Sequence, residues 1–307
     1  MLPARLDRAP DVSPMAELSI GIARELQVNY YLSLIYFTIL YYDYLVTFSA
    51  EVEYFWLQPR RLNWPSALFF VNRYGALLGH IPFVIEVFIY PIICVPLGAR
   101  QFCSGVHKYH QPYAALLQLV VVALCVIRVS AMYNHNRLVL GYLIILIIGC
   151  AILSCWVIFA GVHKDPLVLL GHGAAGCNPL HSQSQSTRLA IAWSGLLMFD
   201  CSVFILTVAK AFQIGRQYPG SLIHVLLRDG TLYFAMLFFA NLSNILMYLN
   251  AAPLLKDTNT VLTNVLSTTA ISRLMLNLRA AHEKSKQSWM TESSISRLLE
   301  VSGPSEV

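Results

Sequence analysis

Charge is what this chain has least of: only 12% of its 307 residues are Asp, Glu, Lys or Arg, about half the share of an ordinary soluble domain. So few charges cannot clothe a water-facing globule, which excludes a soluble domain. Enzyme signatures are missing too. There is no GxSxG nucleophile turn, no GxxxxGK[ST] phosphate loop, no HExxH zinc helix and no glycine fingerprint after a strand. Nothing in the sequence gives positive ground for catalysis, so no enzyme activity and no cofactor is expected. Although the formal net charge is +5, the 21 Lys and Arg are scattered without a dense patch. No nucleic-acid partner is expected, and the basic residues read as topology signals. The first 27 residues carry Pro3, Pro10 and Pro14 with mixed charges. They lack the basic start, short apolar core and small-residue cleavage site of a secretory leader, so no cleaved signal peptide is expected.

What the chain has in abundance is apolar sequence: 57% of positions are hydrophobic and the mean hydropathy is +0.59. These residues gather into blocks of about 20, the length a helix needs to cross a bilayer. The blocks run Val28 to Phe48, Ala67 to Tyr90, Tyr113 to Met132, Leu138 to Ala160, Leu189 to Ala211, Leu222 or Thr231 to Tyr248, and Thr258 to Met275. The fourth contains no charge at all. The seventh holds Asn259, Thr260, Thr263, Asn264, Ser267, Thr268 and Thr269, so it fits a membrane only with that polar face turned toward other helices. The expected fold class is therefore all-α, an integral membrane bundle of seven transmembrane helices with the lipid bilayer as its first partner. Residues 1–27 read as a non-cytoplasmic tail, 28–279 as the membrane domain and 280–307 as a flexible cytoplasmic tail. Basic residues such as Arg60, Arg61, Arg137, Lys210, Arg216, Arg279 and Lys284 favour an N-terminus outside and a C-terminus inside, in a plasma membrane or endomembrane.

In that orientation Cys103 and Cys177 both face an oxidising side, which makes them the disulfide candidates. Cys125, Cys150, Cys155 and Cys201 lie within apolar spans and read as small buried residues. The same outer loops hold His107, His110, His163, His172 and His181. Their spacing matches no strong zinc signature, so no metal site is assigned and solvated loop histidines are the simpler reading. Ionisable residues at membrane depth say more, because each costs a few kcal/mol unless paired or hydrated. Asp43, Arg73 and Arg128 share a depth near the cytoplasmic ends of the first three spans, so a cluster is expected in which Asp43 pairs with Arg73 or Arg128. Asp200 has no evident partner in the fifth span. With His80, Asn241 and Asn244 it forms the candidate site for a small ligand or ion, although a protonated, hydrogen-bonded Asp200 fits equally well.

The stretch YYDYLVTFSAEVEYFW (Tyr41 to Trp56), the loop with Trp64-Pro65, and LFFVNRY (Leu68 to Tyr74) resemble a family of multi-spanning membrane proteins of mushroom-forming fungi that carries the domain of unknown function numbered 6533. Asp43, Leu45, Thr47, Glu51, Glu53, Trp56, Asn72, Arg73 and Tyr74 occupy that family's motif positions, and SRLMLNLR (Ser272 to Arg279) looks like the end of its last span. The resemblance implies a multi-pass membrane protein and supplies no substrate. A likeness to seven-helix receptors is architectural only, since the third span ends in IRVSAMYNHNR without Asp-Arg-Tyr and the seventh lacks Asn-Pro-x-x-Tyr. A receptor-like or sensory protein is the first reading. A transporter or channel component is the second, and a structural or accessory membrane protein the third.

Overall fold

The computed structural model describes residues 14–57, 63–89, 99–160, 167–169, 177–179, 182–217 and 222–301. Seven long helices dominate them: α1 (Pro14–Glu51), α2 (Trp64–Gly79), α3 (Ala99–Met132), α4 (Arg137–Ala160), α5 (Gln183–Gln217), α6 (Leu222–Asn250) and α7 (Thr258–Val301). A wider π turn, Val52–Trp56, prolongs α1, and α2 resumes beyond His80 as Ile81–Val84 and a second π turn, Ile85–Ile89. The only departure from helix of any regularity among the described residues is a small antiparallel ladder between α4 and α5. It pairs β1 (Leu167–Leu169) with β2 (Cys177–Pro179).

Local sequence explains several boundaries. At the start of α5, Ser182 Oγ accepts the Gln185 N–H while Gln185 Oε1 accepts the Ser182 N–H, a reciprocal capping box. Pro65 sits in the first turn of α2, where its missing N–H costs nothing. Between α3 and α4 the chain turns through Asn134 and His135, both at positive φ. There Asn136 Oδ1 accepts the Leu138 N–H at 2.9 Å and opens the next helix. Two expected boundaries need correction. Helix begins at Pro14 instead of after a tail of 27 residues, and α7 continues to Val301 where a flexible tail from 280 was expected. Residues 280–301 contain no Gly or Pro, and Ala, Glu, Lys and Gln favour continuation of the helix.

Among the described residues six helices are long and apolar enough to cross a membrane: Ile20–Trp56, Trp64–Ile89, Lys108–Met132, Arg137–Val157, Gln183–Ile214 and Gly230–Asn250. Their outward faces carry Leu45, Leu138, Ile145, Phe212 and Leu232, each at least two-thirds exposed. So much apolar surface suits lipid and not water. The expected seventh span does not meet that test of apolarity, for a visible reason. Helix α7 packs against α1, α2, α3 and α6, and Thr260, Thr263, Asn264, Ser267, Thr268 and Ser272 are all buried among them. The polar face is turned inward, as the composition required.

Two apolar clusters flank this axis. One joins Leu124, Val129, Leu143, Phe199, Val203, Phe234, Leu237 and Ile271; the other joins Phe37, Leu40, Ala76, Phe83, Leu117 and Val265. Below, the end of the bundle where α7 begins is the head end, and the end from which α7 projects is the tail end.

Candidate functional site

Polar side chains gather at three levels along α7. At the head end, Asp257 in the turn before α7 collects three partners. Its Oδ2 lies 2.9 Å from His110 Nδ1, its Oδ1 accepts the Tyr248 hydroxyl at 2.6 Å, and Gln111 Nε2 donates at 3.3 Å. The Tyr248 hydroxyl also lies 2.8 Å from Thr260 Oγ1. Nearby, Thr258 Oγ1 donates to Asn29 Oδ1 at 2.9 Å and Lys256 Nζ to Gln183 Oε1 at 2.6 Å. These contacts draw α1, α3, α5 and α6 onto the first turn of α7.

At mid-depth Gln118 Nε2 donates to Asn264 Oδ1 at 2.9 Å, Asn259 Nδ2 to Ser243 Oγ at 2.9 Å and Thr260 Oγ1 to Asn244 Oδ1 at 3.4 Å. Asp200 is buried and accepts a short hydrogen bond from Asn241 Nδ2. The expected grouping of Asp200 with Asn241 is therefore a direct contact. Asn244 lies one turn further along α6 but bonds toward α7. His80 belongs elsewhere: its Nδ1 stands 2.7 Å from the Ala76 carbonyl and 2.9 Å from the Tyr113 hydroxyl, at the α2–α3 contact. Gly79 makes that contact possible, because a Cβ there would fall on the Tyr113 ring.

The tail end carries the charges, and the expected pairing is corrected there. Asp43 pairs with Arg273 of α7, not with Arg73 or Arg128. Arg73 is taken by Glu51, with Nε 2.6 Å from Oε2. No hydrogen bond joins Arg73 Nε to that oxygen, so the contact is ionic. Its Nη2 donates instead to Thr47 Oγ1 at 2.7 Å and the Tyr44 carbonyl at 3.1 Å. Glu51 accepts from Tyr74 Oη at 2.8 Å and Trp56 Nε1 at 3.0 Å. The reason is spacing: Asp43, Thr47 and Glu51 follow at intervals of four on one face of α1, so Arg73 reaches the two further along while Arg273 covers the first. Arg128 is also buried at this end, with its guanidinium over the Phe234 ring at 5.7 Å and against Gly230. It joins neither pair. Asn72 Nδ2 donates to the Thr268 carbonyl and to Ser272 Oγ, both at 3.0 Å. Between the pairs lies a small crevice, open to the outside, lined among others by Asp43, Arg73, Thr268, Thr269 and Ser272. Its interior admits about one water molecule.

Among the described residues no three His, Cys, Asp or Glu side chains stand close enough to hold a metal ion. His163, His172 and His181 lie outside the described residues, as does the side chain of His107. The expected Cys103–Cys177 bridge falls on side chains outside the described set. Among the described residues Cys125, Cys150, Cys155 and Cys201 are free thiols. Sequence reasoning passed over Asp257, used Tyr248 only as a span boundary, and met Glu51 and Arg273 only within family-like stretches, without assigning them partners.

With this geometry in view, the comparisons with known proteins fall on one part of it. Residues 31–78 match the model of a family of unknown function, DUF6533. The matched segment runs from the middle of α1 to the end of α2. It contains Asp43, Thr47, Glu51, Asn72, Arg73 and Tyr74, so the match covers much of the charged tail end. No curated protein and no solved structure matches the chain. Fold and match together define a multi-pass membrane protein bearing a region of unknown function.

Proposed function

We propose that this multi-pass protein is receptor-like: a change at the head end is carried through α7 to the tail end. One observation supports the reading above others. Helix α7 is a single helix of 44 residues. It starts at the Asp257–His110–Tyr248 cluster, passes through the bundle as its polar axis, meets Asp43 and Asn72, and leaves with His282, Lys284 and Lys286 exposed. A rigid rod tied at both ends transmits displacement over its whole length. The exposed extension, with Ser285, Thr291, Ser293 and Ser294, suits modification or partner binding. The basic residues favour a head end outside and a tail end in the cytoplasm.

The test loosens one end and reads the other. Spin labels at Asn136→Cys, in the α3–α4 turn, and Lys286→Cys, on the α7 extension, report tail-end geometry through their distance distribution. Asp257→Asn, which weakens the head cluster, shifts or broadens that distribution if α7 is the link. An unchanged distribution in a folded variant contradicts the proposal. A transporter or channel component is the second reading, favoured by the buried amide atoms along α7 that have no protein partner.

A further inference from the structure

Those amide atoms are not randomly placed. Asn244 Nδ2, Asn264 Nδ2 and Asn72 Oδ1 are buried, and each lacks a hydrogen-bond partner although the other end of the same amide is bonded. A buried amide atom left without a partner costs about 1–3 kcal/mol, and at membrane depth no bulk solvent relieves it. Native interiors meet such atoms with ordered water.

Their spacing matters more than their number. Thr260, Asn264, Thr268 and Ser272 recur at intervals of four on one face of α7, so successive rungs lie about 6 Å apart. That is the span of two hydrogen bonds of roughly 2.8 Å each meeting at one water oxygen. The orphan atoms stand at two of the three gaps. Asn244 Nδ2, beside Thr260, and Asn264 Nδ2 flank the first, and Asn72 Oδ1 stands at the third, where Asn72 bridges Thr268 and Ser272. Direct bonds complete the line at the head, and a shared crevice ends it at the tail. Asp257, Tyr248 and Thr260 are already linked at the head, at 2.6 and 2.8 Å. At the tail, Thr268 and Ser272 line the crevice that also holds Asp43.

We propose that the inward face of α7 is a water-bridged proton path between the Asp257–His110 cluster and the Asp43 crevice. This does not rest on the receptor-like reading. The donor set selects the proton over larger cargo. Val265, Ala240 and Leu237, on α7 and α6, are buried, and the described residues offer no set of metal ligands. Tyr248, Thr260, Ser267 and Ser272 carry hydroxyls that both accept and donate. Each oxygen in the file takes a proton from the neighbour on one side and releases another to the neighbour on the other. Net transfer is thus one proton, with no bond to carbon made or broken. The amides relay nothing themselves; they hold the waters in place.

The test uses the full chain in liposomes of neutral phospholipid with a trapped pH-sensitive dye and a potassium diffusion potential set by valinomycin. The wild type should acidify or alkalise the lumen faster than protein-free liposomes, in the direction the potential dictates. Thr260→Val keeps the shape and deletes the relay hydroxyl, and should slow the flux about tenfold, as loss of one hydrogen-bonded link does. Thr260→Ser should restore it, and circular dichroism with thermal unfolding establishes that all three fold. Wild-type flux no greater than that of empty liposomes overturns the proposal, and so does a folded Thr260→Val that conducts like the wild type. Waters that bridge the rungs without conducting would give the first of these results.

Discussion

Neutralising Glu51 should be among the most damaging single changes in this protein. Its side chain is fully buried, and that of Arg73 is 3% exposed. The two charges are in ionic contact, Nε to Oε2 at 2.6 Å. Taking the charge centres as about 4 Å apart and an effective dielectric of about 20, their attraction is about 4 kcal/mol. Glu51→Gln leaves Arg73 buried with Thr47, the Tyr44 carbonyl and the face of the Tyr44 ring, and Arg73→Gln leaves the carboxylate with Tyr74 and Trp56. Each single change should therefore cost about 3–5 kcal/mol, because it strands a buried charge. The double change should cost much less than the sum, giving a coupling of at least about 2 kcal/mol. The Arg273 side chain is 42% exposed, so solvent screens its pair with Asp43, whose coupling should be about 1 kcal/mol or less. Asp43 with Arg73 should show no direct charge coupling of comparable size. Equilibrium unfolding in mixed detergent–lipid micelles, scored as double-mutant cycles, measures all three. Additive losses for Glu51 and Arg73, or a larger coupling for Asp43 with Arg73, would refute this reasoning.

Further outcomes follow from contacts elsewhere. Gly79→Ala drives a methyl into the Tyr113 ring and should lower stability by about 1–3 kcal/mol. Gly75→Ala meets only Leu117 Cδ2 at 3.5 Å and should be neutral or slightly stabilising in the same thermal unfolding assay. Asn72→Ala removes two hydrogen bonds to α7 and should cost about 1–3 kcal/mol; unchanged stability would mean that α2 and α7 are not held there. A reporter fused after Val307 should be cytoplasmic and a tag before Met1 accessible from the opposite side; finding both on one side contradicts the charge-based orientation.

Much of the architecture was legible because it depends on length and polarity alone. Six uncharged or nearly uncharged blocks cannot be soluble helices, and the run of Asn, Thr and Ser from 259 to 269 can be accommodated only if other helices cover it. The terminal extensions were missed because residues 14–27 and 280–301 are too polar to register as spans, yet contain good helix formers. Partner choice was harder. That Asp43, Arg73 and Arg128 lie near one end follows from their depth. That Arg273, 230 residues from Asp43, takes the carboxylate depends on how α7 sits against α1, which no local pattern states. One signal was present and went unused: Thr47 and Glu51 repeat the interval of four from Asp43, so all three had to share a face that Arg73 approaches. The head cluster left no such trace, since Asp257 lies in a polar turn and Tyr248 at the end of an apolar run.

Whether α7 crosses the membrane decides most of the account, since the rod, the polar axis and the proton path all need it to do so. Pro253→Cys in the turn before α7 and Lys284→Cys on its exposed extension place one thiol at each end. A membrane-impermeant maleimide applied to sealed vesicles of known orientation, scored above the labelling of the wild type, should reach one from outside and the other only after the vesicles are opened. If both thiols react from the same side, α7 does not span, and its buried polar face must be explained without a path from one side to the other.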